Sequence, residues 1–113
     1  MHTSDQVLVK QASAGDRQAF AEIVGRYQTL VCSVAYGATG NLAASEELAH
    51  EAFIAAWASL RTLKDPCRLR PWLCGIVRNL ANNRTRKRQR DILSNASAIE
   101  QTQFADAPPL RRI

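Results

Sequence analysis

Few of the side chains that build enzyme active sites occur in this sequence. There are two histidines, His2 and His50, far apart, and three cysteines, Cys32, Cys67 and Cys74, none of them in a C-x-x-C pair. A zinc site would have to be gathered from unrelated places, and an odd number of thiols makes no disulfide framework; they read as reduced thiols. No glycine-rich phosphate loop is present and no G-x-S-x-G turn. Glu46, Glu47 and Glu51 are paired carboxylates in form only, since an exposed helix face makes poor general acids. No run approaches the ~20 apolar residues a membrane span needs, and the polar start MHTSDQ is unlike a signal peptide. The expectation is a cytoplasmic protein that is not an enzyme and carries neither metal nor cofactor.

Alternating β-branched runs are equally scarce, while Ala, Leu, Glu, Gln and Arg abound, so the fold class is all-α. The length of 113 residues allows one domain, and 46% hydrophobic with 22% charged residues is ordinary for a globule. Ser4 is an N-cap candidate for a short first helix ending near Gly15. Asp16 then caps a second, whose stripe of Phe20, Ile23, Val24, Tyr27, Leu30, Val31 and Val34 steps by three and four. Cys32 lies close to that stripe and reads as a small buried side chain. Gly37 and Gly40 weaken and then stop the helix. A third helix is predicted from near Ser45, with Glu46 and Glu47 in its first turn and Leu48, Ala49, Ala52, Phe53, Ala56, Trp57 and Leu60 facing inward. Glu47, His50, Glu51 and Ile54 share a different face at i, i+3, i+4 and i+7; an isoleucine there suits a partner better than solvent. Residues 61–70 form a linker with the turn signal Asp65-Pro66, and Pro71 fits the first turn of a fourth helix. Its inner face is Trp72, Leu73, Ile76, Val77, Leu80 and Ala81. These elements make a bundle of three to four helices over residues 1–91, with 92–113 a frayed helix, linker or tail marked by Pro108-Pro109.

The charges are segregated. Residues 1–65 carry five basic and seven acidic side chains, whereas residues 66–90 carry eight basic ones (Arg68, Arg70, Arg78, Arg84, Arg86, Lys87, Arg88, Arg90) and no acid. Cations at a helix C-terminus complement the dipole, but that accounts for two or three arginines, not eight. A polyanionic partner is favoured. Asn79, Asn82 and Asn83 lie on the outer face of the fourth helix beside Arg78; Arg supplies phosphate contacts, and Asn can hydrogen-bond base edges.

In order and spacing, DRQAFAEIVGRY (16–27), GNLAASEELAHEAFIAAW (40–57) and LRPWLCGIVRNLANNRTRKR (69–88) resemble region 2 of bacterial sigma factors, in particular the extracytoplasmic-function (ECF) group. The resemblance spans about residues 10–90. It implies a compact helical domain that docks on the β′ clamp helices of core RNA polymerase and captures the non-template strand of the promoter −10 element during melting. The family's acidic helix falls on 44–53, which places polymerase-facing positions on Glu47, His50 and Glu51, with Ile54 beside them. Ala44 stands where the family has an acid, and His50 where it has glutamine. The family's element before and within the DNA-contacting helix falls on 69–81. By similarity, the base-holding loop is 61–70, with Lys64, Cys67, Arg68 and Arg70, and the strand-contacting face is Arg78, Asn79, Asn82, Asn83 and Arg86. Region 4, which reads the −35 element in ECF relatives, is absent from these residues, as in an excised domain or a region-2-only protein. An anti-sigma factor is a further partner the resemblance implies. Two other readings stand beside it: a non-specific helical nucleic-acid binder, and a decoy that binds polymerase or an anti-sigma factor without opening DNA.

Overall fold

The structure, a computed structural model, describes the backbone of residues 3–102 and the side chains of residues 3–94. Among the described residues there are four α-helices, α1 (Asp5–Ser13), α2 (Arg17–Thr39), α3 (Leu42–Ser59) and α4 (Leu69–Thr102), and no strand. Two short 3-10 turns, Leu60–Thr62 and Pro66–Arg68, lie between α3 and α4.

The first two helix starts follow the sequence signals. Ser4 Oγ accepts from the Val7 N–H at 3.3 Å, and Asp16 Oδ1 accepts from the N–H groups of Gln18 and Ala19 at 3.0 and 3.1 Å. Each cap satisfies donors that the first helical turn leaves without an intrahelical partner. Asp16→Ala is expected to lower stability by about 1 kcal/mol, read as a fall in the midpoint of urea unfolding with an unchanged slope. Between α1 and α2 the chain turns at Gly15, whose φ of +105° suits glycine.

α3 begins one turn earlier than the sequence reading placed it. Gly40 (φ +66°) ends α2 in the left-handed conformation, and the Asn41 side chain at once caps α3 by accepting from the Ala44 N–H at 2.9 Å. Ser45 is therefore not a cap but a buried residue, 1% exposed, whose hydroxyl donates to the Leu42 carbonyl at 2.7 Å. Glu46 and Glu47 sit past the first turn, beyond the reach of the dipole argument. The signal passed over was Asn41: an asparagine directly after a glycine is both a stop and a start.

The core draws on all four helices: Leu8, Val9 and Ala12 from α1, Ile23 and Val31 from α2, Leu48, Ala52, Phe53 and Ala56 from α3, Leu69, Leu73 and Val77 from α4. α2 packs along α3, and α1 packs on α2 and on both 3-10 turns. Of the predicted inner residues of α3, Trp57 departs: it is 38% exposed, with its ring 5.0 Å from that of Phe20 at a tilted angle of 56°. The indole thus stands at the margin of the core against Phe20 and not inside it. Cys32 is half-buried against the core, Cys74 is buried and Cys67 exposed.

The segment 61–70 is less a linker than a shaped connection. Leu60 and Leu69, 2% and 1% exposed, pin its two ends in the core, and Asp65 Oδ1 accepts from the Cys67 N–H at 3.0 Å to start the second 3-10 turn. α4 starts at Leu69, so Pro71 falls in its first turn, where a missing N–H costs nothing. By internal contacts the chain divides into one unit ending at Ala81 and another beginning at Asn82. Helical backbone continues through Asp91 to Thr102; Pro108-Pro109 of the predicted tail lies outside the described residues.

Candidate functional site

In the first unit, Glu47, His50, Glu51 and Ile54 are all exposed on α3, and Ile54 leaves 58% of its surface to solvent. The pattern follows from the helix period: with Leu48, Ala49, Ala52 and Phe53 committed to the core, residues a third of a turn away must face outward. His50 and Ile54 border a groove of about 430 Å³ between α2 and α3, lined also by Arg17, Phe20, Val24, Phe53 and Trp57. Sequence reasoning found the α3 half of this groove and missed the α2 half. Phe20 and Val24 were counted as core, and they are only partly buried.

The connection 61–70 forms a second concavity, of about 400 Å³, lined by Thr62, Leu63, Lys64, Asp65, Arg68, Pro71 and Trp72. The cap on Cys67 and the two buried leucines hold its rim. Of the predicted strand contacts, Lys64 and Arg68 line this cavity; Arg70 is exposed but is not among its lining residues. Thr62, Leu63 and Asp65 were not anticipated. Trp72, expected in the core, does two things at once: it packs partly buried against the core and walls the cavity. Arg78 and Asn79 are exposed further along α4.

In the second unit, Asn82, Asn83 and Arg86 are exposed, and the Arg86 guanidinium donates to Asn83 Oδ1 at 2.7 Å. That bond uses one of the two acceptor sites of the Asn83 amide oxygen and none of its NH₂ hydrogens. Among the described residues, no group of His, Cys, Asp or Glu is arranged to hold a metal ion, and no helix is long and apolar enough to cross a membrane.

A family model, sigma-70 region 2, matches residues 23–91. The chain belongs to the sigma-70 family through its region 2. Relatives place this region 2 in the ECF type. It is 34% identical over 88 residues to the ECF RNA polymerase sigma factor SigW of Bacillus subtilis, covering 78% of this chain and 47% of that protein. It is 33% identical over 113 residues to the ECF RNA polymerase sigma-E factor of Escherichia coli, covering 97% of this chain and 58% of that protein. Region 2 here thus spans about half the length of these two relatives. Among solved structures it is similar, with a TM-score of 0.71 and 33% identity, to an engineered region 2 of sigmaE in complex with GTAAAA, covering 79% of this chain and 93% of that one. The all-helical fold agrees with that neighbour, and region 2 belongs with transcription factors rather than enzymes.

Proposed function

We propose that this region 2 docks on the β′ clamp helices of core RNA polymerase through Glu47, His50, Glu51 and Ile54, and that it recognises and melts the promoter −10 element by holding the non-template strand. The observation that carries the reading is the cavity at Thr62–Trp72. Two cations, Lys64 and Arg68, outnumber the one carboxylate, Asp65, beside an indole wall, Trp72, in about 400 Å³ at the loop where the family captures a base. A base leaving the stack costs a few kcal/mol, and a preformed pocket with a π face and positive charge offsets that cost. The sigmaE region 2 with its bound GTAAAA strand supports a single strand as the ligand class. Arg78 and Asn79, and in the second unit Asn82, Asn83 and Arg86, supply phosphate and base contacts. The work is done in the cytoplasm, where polymerase and promoter are.

At the polymerase face, the exposed Ile54 and the groove beside it accept an apolar ridge, while Glu47 and Glu51 orient it by charge. Two separate surfaces are therefore assigned, one for protein and one for a strand. Salt titration of binding to the GTAAAA hexamer tests the second. If about five phosphates are neutralised, log K falls against log salt with a slope of about −3.5. A flat line would leave a protein-interaction decoy as the only reading.

A further inference from the structure

The base-holding loop is supported from behind by a helix with no assigned part in recognition. α1 buries Leu8, Val9 and Ala12 in the core and lies against both 3-10 turns of the connection 61–70. Its first turn carries two tethers. Asp5 accepts from the Arg26 guanidinium at 2.9 Å and from the Tyr27 hydroxyl, which fixes α1 to the middle of α2; Arg26 also reaches Glu22 at 3.0 Å. Burial, then the hydrogen bond and charge of Asp5, push the Tyr27 phenol up to about 12, against the opposing pull of Arg70 and Arg26. Arg70, at the end of the loop, therefore acts electrostatically on the same cluster. The second tether is Gln6, whose Nε2 donates to Cys67 Sγ at 3.5 Å.

Cys67 lies between Asp65 and Arg68, both of which line the cavity, while Cys67 itself does not. Its backbone N–H is already held by Asp65 Oδ1. A side chain that fixes Cys67 from behind thereby fixes the angle at which Asp65 and Arg68 face an incoming base. We infer that α1 preorganises the base-holding loop, with Gln6 as a positioning residue for base capture that touches the loop and not the strand. The inference rests on the assignment of this loop to an extruded base. Its physical content is preorganisation: a loop held in its binding shape spends less conformational entropy when the base arrives.

Gln6→Glu tests it with little change of shape. The carboxylate cannot donate to sulfur and leaves only the weak S–H donor of Cys67 to join the pair, while an acid in the first turn of α1 suits the helix dipole, so the tether is weakened and the helix is not. The full chain is titrated with GTAAAA, its single-base variants, and versions of the tightest hexamer made abasic at each position in turn. In the unaltered protein one abasic position should cost far more affinity than the rest, and Gln6→Glu should shrink that particular penalty about threefold, the value of one modest hydrogen bond. Cys67→Ser in the Gln6→Glu background offers a hydroxyl that donates to the new carboxylate, and the penalty should return; Cys67→Ser alone should leave it unchanged. A merely structural role for Gln6 predicts equal losses on intact and abasic strands, with a lowered melting temperature by circular dichroism. That result overturns the inference, as does an abasic penalty identical in all variants. Failure of the unaltered protein to distinguish any abasic position would instead remove the loop assignment itself, and the inference with it.

Discussion

Replacing both Glu47 and Glu51 by arginine is expected to abolish retention of core RNA polymerase in a pull-down while binding to single-stranded DNA holds or rises. Both glutamates are exposed on α3 and neither contributes to the core, so the substitution spares the buried packing, and circular dichroism checks that the helices are kept. Two reversals on one face change the local charge by four units. If the partner presents basic groups there, attraction becomes like-charge juxtaposition worth several kcal/mol, a loss on the order of a hundredfold or more. On the DNA side the same change adds positive charge to the protein, which cannot weaken a phosphate partner. The two readouts must therefore move apart. Unchanged retention would overturn docking through this face, and a parallel loss of both activities would show that the two surfaces are not separate.

A second large effect lies in the core. Leu48 is wholly buried on α3, with 0% of its surface exposed, in the core that all four helices share. A side chain with no exposed surface leaves a cavity that solvent does not fill, and the surrounding helix backbones limit how far the core can close on it. Leu48→Ala is thus expected at the costly end of its class, about 3–5 kcal/mol, out of roughly 5–15 kcal/mol for a whole domain. Thermal unfolding should fall by more than about 12 °C. A drop of only two or three degrees would mean that the core closes over the cavity.

What the sequence disclosed of this molecule was mostly what is local and periodic. Ser4, Asp16 and Gly40 are legible because a cap or a stop acts within four residues of itself. The stripes of α2 and α4 are legible because burial repeats with the helix. The start of α3 was misplaced because Ser45 is a good cap type, and only tertiary packing makes it a buried residue instead. Trp57 failed for a related reason: periodicity gives direction but not depth, and the indole stands at the core's margin against Phe20. At the candidate site, Lys64 and Arg68 were found as charges in a loop. Thr62, Leu63 and Asp65 were not, since cavity walls depend on how two 3-10 turns fold back, and such turns carry no repeating signature. The α2 side of the groove beside His50 was hidden because Phe20 and Val24 obey the core rule while standing at its margin.

The corner at Gly40 and Asn41 has a mechanical consequence. Only these two residues separate α2 from α3, one closing a helix and the other opening the next, so the connection holds no slack. α3 cannot slide along its neighbour to accommodate a differently shaped partner without breaking both caps. Whatever α3 engages must match side chains already standing at fixed heights. If α3 is the docking face, as proposed, selectivity there depends on which side chains it presents and not on sliding of the helix.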